Sequence, residues 1–358
     1  MKVLHTYCLN YNVGDYALGI GVKNIFRHLY NISFFAEVNL QGHIFDDYFI
    51  NLINKKYDLL IIGGGGIIHG SHWPHGWFWL INKENIKKIK IPFIVYSAGY
   101  NYFKNEKGIP KRGIVHLKET QKQADFFSVR NDGSYERLLS QTGIKANVIA
   151  DPAFWITLGR KFSSDLNKKY VIVQLADDKS ISRFKSTKKR DDFIEVMINI
   201  LMKLSLSYLI VFVPHVYEDL EISKKISSAI KNSIVLNFGE YAFDRSDEYI
   251  GIYKNSEFVL AMRGHGQIIP LSFGIPVISL ENHYKHFGLM KEYGLEKYNV
   301  NILDKFFKVK LEDRISLLIK ELNNLKVFIN KKNVELFKNT VEMLRNIKKI
   351  SRFLKDDS

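Results

Sequence analysis

Residues 259–280, VLAMRGHGQIIPLSFGIPVISL, decide how the chain is read. The apolar run at 258–261 has the length and side chains of a buried strand, and 275–280 is a second such run. A helix-length interval separates them and opens on Arg263-Gly264-His265-Gly266. Strand, short helix and strand make the repeating unit of a parallel α/β sheet, where ligands collect beyond the carboxyl ends of the strands. A cation and an imidazole, each beside a glycine at the mouth of a buried strand, therefore read as a ligand site.

The same alternation extends outward in both directions. Apolar runs at 3–7, 34–38, 58–62, 93–97, 126–129 and 147–149 read as strands, with helical patterns at 16–29, 114–123 and 134–141 between them. After a joint at 155–168 the alternation restarts, with strands at 170–175, 208–213, 233–236, 258–261 and 276–280. The expectation is an α/β protein of two doubly wound, Rossmann-like domains facing across a cleft, at 1–160 and 161–310. A helical segment, 311–358, follows, with a break expected at 330–333. A length of 358 residues suits two cores better than one.

Composition narrows the class. Apolar residues at 46% and charged residues at 25% are globular values. The single cysteine, Cys8, excludes disulfide frameworks and cysteine-based zinc sites. The first residues lack a signal-peptide pattern, and no run approaches the ~20 apolar residues of a membrane span. A soluble cytoplasmic protein is expected. The net charge of +15 raises nucleic acid as a partner, but the lysines are dispersed and no recognition motif accompanies them, so none is expected. Val334, Phe337, Val341, Leu344 and Ile347 form an apolar stripe, with Lys338, Arg345, Lys348 and Arg352 away from it. A helix packed on the domains is the favoured reading; contact with an anionic membrane, at the inner face of the cell membrane, is the sharper alternative.

Several strand ends carry chemistry-bearing residues. Asn12 and Asp15 follow the first strand in NYNVGD and suit a turn and helix cap, with Gly14 expected to supply backbone freedom. Four glycines, including Gly64 and Gly65, follow the third strand and would allow close backbone approach to a ligand. They match neither a dinucleotide fingerprint nor a phosphate-binding P-loop. His69, His72 and His75 come next without a carboxylate or cysteine to complete a metal site, so no metal is expected. Trp73, Trp77 and Trp79 in the same loop could stack on sugars, one at least being core. Arg130 ends the fifth strand, His215 ends a strand of the second half, and His283, Lys285 and His286 follow the last.

Taken in order, NVGD, DLLIIGGGGIIHG, YSAG, FFSVRNDGS, ADPAF, RGHGQIIPLSFGIPVISL and HYKHFGL resemble the polysaccharide pyruvyl transferases, over residues 10–295. The resemblance implies a glycosyltransferase-B-like fold, transfer of a pyruvyl group from phosphoenolpyruvate to a sugar, and an active site at Arg263 and His265. Two positions depart from the pattern: Asn131 where an aspartate commonly follows the arginine, and Gln174 where an arginine is common.

Forming a pyruvate ketal requires a proton for the enol methylene, cations for a phosphate and a carboxylate, and a base for the sugar hydroxyls. His265 is the expected acid/base and His215 the second candidate, because imidazole titrates near neutral pH. Arg263, Gly264, Gly266, Lys285 and Arg130 are expected on the donor. Asn12, Gly14, Asp15, Gly64, Gly65, His69, Trp73 and Trp77 are expected on a glycan or lipid-linked acceptor. Phosphoenolpyruvate serves as co-substrate and no cofactor is expected. A nucleotide-sugar glycosyltransferase is the runner-up, and a non-catalytic polysaccharide-binding protein the third class.

Overall fold

The computed structural model describes residues 1–9, 12–70, 73–101, 108–162, 166, 168–236 and 246–355. The chain divides into two units. Unit 1 comprises Met1–Asn10, Leu18–Leu158 and Glu335–Ser358; unit 2 comprises Tyr11–Ala17 and Gly159–Val334.

Unit 1 holds a parallel sheet of β1 (Lys2–Tyr7), β2 (Phe34–Asn39), β3 (Leu59–Ile68), β4 (Phe93–Tyr100), β5 (Phe126–Arg130) and β6 (Asn147–Ile149) in the order β2-β1-β3-β4-β5-β6. The central strands are nearly continuous apolar runs, as burial on both faces demands. Leu60, Ile62, Val95 and Val129 build the core with Trp77 and Trp79. The order reverses between β1 and β3, which is where an open α/β sheet offers its crevice.

The glycine run is not a loop after β3 but part of it. Gly63, Gly64 and Gly65 take φ of +114°, +78° and +86°, accessible to glycine at little cost, and the ladder to β4 shifts between Gly65 and Ile68. The strand therefore continues through a bulge to Ile68.

Unit 2 repeats the plan with β7 (Tyr170–Gln174), β8 (Leu209–Phe212), β9 (Ser233–Val235), β10 (Val259–Ala261), β11 (Val277–Glu281) and β12 (Asn299–Asn301), ordered β12-β11-β10-β7-β8-β9. Its reversal lies between β7 and β10, with Ala261 paired to Gln174. The helix Gly264–Ser272 follows β10 directly. The helix Phe307–Arg345 runs unbroken for 39 residues through 330–333, where the sequence suggested an interruption. Asn333 there has tertiary partners instead of competing for backbone. The Asn333 amide donates to the Leu271 carbonyl (2.8 Å), and its oxygen accepts from Tyr293.

Candidate functional site at the strand reversal of unit 2

β10 ends against β7, so Arg263 emerges beside Gln174 at the reversal point. Gln174 is fully buried, and its Oε1 accepts the Arg263 amide at 2.8 Å. A Cβ on Gly266 would stand 2.6 Å from the same oxygen, so the glycine lets the helix Gly264–Ser272 start directly over Gln174. Arg263, its N-cap, gives no side-chain cap hydrogen bond, and the first amides of the helix lack intrahelical acceptors, a favourable arrangement for an anion. Lys285 comes in from the helix Tyr284–Tyr293, its Cε 3.8 Å from where a Gly264 Cβ would be.

Arg263 is already engaged. Its Nε donates to Asp219 Oδ2 at 2.8 Å and its Nη2 to Asp219 Oδ1 at 2.6 Å, while Nη2 also meets Asp178. Burial opposes the charge of Arg263, but Asp219 and then Asp178 outweigh it and raise its pKa. Asp219 also accepts the His215 amide at 3.1 Å and the Asp177 amide at 3.2 Å. Arg183 grips Asp178 at 2.8 and 3.1 Å, and meets Asn282, whose amide donates to the Met262 carbonyl at 2.8 Å. Burial raises the Asp178 pKa, but Arg263 and Arg183 override it, so the carboxyl is held below its ordinary range. Within the described residues Arg263 Nη1 makes no hydrogen bond. Of the Arg263 guanidinium, expected on the donor, Nε and Nη2 are thus taken up by Asp219 and Asp178.

Sequence reasoning missed Asp178, Asp219, Arg183 and Asn282. The available signal was position: Asp178 lies just past β7, which borders the reversal, and Asp219 opens the helix after β8, the neighbour of β7.

His265 lies in the first turn of the helix Gly264–Ser272, half-buried. The first turn of the helix Val13–Leu29 belongs to the same unit and meets it there. Asn12 Oδ1 accepts the Gly14 amide at 2.8 Å, the expected cap, and Val13 donates to the His215 carbonyl at 3.3 Å. Asp15 follows in that turn. His215 is fully buried with Nε2 2.8 Å from the Tyr253 hydroxyl, and burial, then Arg263 and His265, push its pKa well down. A ring held neutral and away from solvent suits positioning better than proton exchange, a correction to its expected role as second acid/base.

Unit 1 holds the other expected residues, and several of them are structural. Arg130 is buried, donating from Nε to Asp132 (2.6 Å) and from Nη1 to Asp151 (3.3 Å). Asp132 in turn accepts the Ser134 amide (3.1 Å), and Asp151 the Ala153 amide (2.9 Å). Arg130 thus ties the ends of β5 and β6 together and is not a free donor ligand. Asn131 accepts the Asp151 amide at 3.1 Å, a role an aspartate oxygen fills equally, which accounts for that departure. Trp77 is fully buried, donating to His116 Nδ1 at 3.1 Å, so it is core rather than a sugar platform. Gly64 and Gly65 are buried in the bulged strand, with Pro152 and Leu18 beside Gly64, and are likewise packing residues. His69, stacked on Phe78 with ring centroids 4.3 Å apart, and Trp73, 4.5 Å from Phe78, are half-buried. His72 lies outside the described residues. Among the described residues no three histidine, cysteine or acidic side chains are grouped to hold a metal ion, and no helix is long and apolar enough to cross a membrane.

The fold is that of glycosyltransferase-B enzymes. The chain is similar to UDP-GlcNAc 2-epimerase from Neisseria meningitidis bound to UDP-GlcNAc, with TM-score 0.56 and 13% identity over 96% of this chain and 99% of that one. MnaA of S. aureus in complex with UDP gives TM-score 0.55 and 14% identity over 92% and 90%. Trehalose-6-phosphate synthase OtsA gives 0.58 and 10% over 97% and 99%. No curated protein matches the chain. The polysaccharide pyruvyl transferase family model matches residues 12–284, and the chain belongs to that family.

Proposed function

We propose that the protein transfers the pyruvyl group of phosphoenolpyruvate to two hydroxyls of a sugar in a surface polysaccharide or its lipid-linked precursor, forming a pyruvate ketal. The observation that carries this reading is the family match from residue 12 to 284, which includes the Arg263–His265 segment at the reversal of β7 and β10. The donor is a small, multiply charged anion. The helix start at Gly264–Gly266, Lys285 and Arg263 Nη1 bind its phosphate and carboxylate. His265 moves the protons. The enol methylene takes a proton and becomes methyl, one sugar hydroxyl adds to C2 and loses its proton, phosphate leaves with its C–O bond electrons, and the second hydroxyl closes the ketal. Of the two hydroxyl protons, one balances the methyl and the other leaves with phosphate. Asp219 and Asp178 keep the Arg263 guanidinium fixed before the donor arrives. Asp15, Trp73 and His69 are the acceptor residues that this reading retains.

Purified protein given phosphoenolpyruvate and a panel of free and lipid-linked saccharides should release phosphate only when an acceptor is present, with a new methyl singlet in the product's proton NMR spectrum. Consumption of a nucleotide sugar in place of phosphoenolpyruvate would instead establish the glycosyltransferase reading.

A further inference from the structure

Gly14 sits in the first turn of the helix Val13–Leu29, and its backbone is not left-handed. Nothing in the local conformation asks for glycine there, and alanine is the better helix former. The reason lies across the turn. A Cβ on Gly14 would stand 2.1 Å from Nδ1, 2.5 Å from Cγ and 2.7 Å from Cβ of His265. The clash reaches the root of the imidazole side chain, so rotating the ring about its own axis cannot relieve it; the whole side chain has to move. Retreat of the turn is opposed by the Val13 amide, which donates to the His215 carbonyl at 3.3 Å.

We infer that Gly14 is a positioning residue whose missing side chain forms the seat of the His265 ring, and that it acts on the reaction through that ring rather than by touching the acceptor. The kinetic part of this inference rests on His265 being the acid/base of the proposed transfer; the steric part does not.

The test is a double-mutant cycle read by thermal unfolding and by kinetics. Alone, Gly14→Ala should lower Tm despite its better helix propensity, shift the His265 ring signals in nitrogen-resolved NMR, and cut kcat by ~100-fold. The KM for phosphoenolpyruvate should change by no more than about threefold, because displacing the ring leaves the anion contacts in place. In a His265→Gly background, which removes the clashing Cβ as well as the ring, the same substitution should raise Tm, since only the propensity gain remains. An equal Tm change in both backgrounds, or unmoved His265 signals, overturns the inference. If the wild-type protein does not use phosphoenolpyruvate, the functional reading fails, while the Tm cycle and the ring signals still decide the role of Gly14.

Discussion

Arg263 is held in place before any ligand arrives, and that changes what its replacement should do. Lysine keeps the charge but cannot reproduce the paired contact with Asp219. Breaking a buried pair from one side costs ~3–5 kcal/mol, so Arg263→Lys is expected to lower stability to urea as well as donor use. Asp219→Asn should do the same. A kinetic loss with an unchanged urea midpoint would return the whole guanidinium to the ligand. For the tryptophans, Trp77→Ala should cost ~3–5 kcal/mol, as truncation of a buried aromatic does, with the acceptor KM of the folded fraction unaltered. Trp73→Ala should raise acceptor KM with a smaller stability cost. Arg263, His265, Gly266 and Lys285 were legible as one site, because strand-end cations in a βα pattern converge. Asp178 and Asp219 were not, because a lone carboxylate after a strand reads as a helix cap. Their partnership with Arg263 depends on β7 lying between β10 and β8, an order that one-dimensional periodicity does not carry.

Strands were the most readable elements, since a run buried on both faces has to be apolar throughout. The exceptions have physical causes. β12 is three residues long and includes two asparagines, too little for a pattern. The end of β3 read as a loop because four glycines signal irregular backbone, and the bulge that keeps them in the sheet is a tertiary choice. Arg130 in RNDGS read as a donor-side residue, whereas side-chain hydrogen bonds tie RNDGS and ADP into a clasp between β5 and β6. That clasp gives a prediction at its own scale. Asp132→Ala removes both the carboxylate paired with buried Arg130 and the acceptor for the Ser134 amide, and should destabilise unit 1 by ~3 kcal/mol or more. Amide exchange should quicken in the helix Ser134–Thr142. Unchanged exchange there would show that Arg130 alone carries the joint.

For the whole molecule, buried neutral histidines set an acid limit on folding. Burial lowers His5 and His116 to about 4, although their Nε2 atoms bond the Gly63 and Ile81 carbonyls at 2.8 Å each. His215 is lowered as well. The unfolded chain binds these protons more readily, so the stabilisation is complete above the ordinary histidine pKa near 6.5 and declines as pH falls from there toward about 4. Urea unfolding should therefore lose roughly 2 kcal/mol per such histidine between neutral pH and pH 5, and stability that held flat or rose across that interval would contradict their neutral burial. The division of the chain has a different consequence, for biosynthesis. Unit 2 draws on residues 11–17 and 159–334, whereas unit 1 needs residues 335–358 as well as the first half of the chain. Those last residues supply the Leu344 carbonyl that accepts the Tyr30 hydroxyl at 2.6 Å and the Phe353 carbonyl that accepts the Asn31 amide at 2.9 Å. On the ribosome the unit that begins first is thus finished last: its sheet emerges early and waits, its edge near Tyr30 still uncovered, until the far end of the chain has been translated.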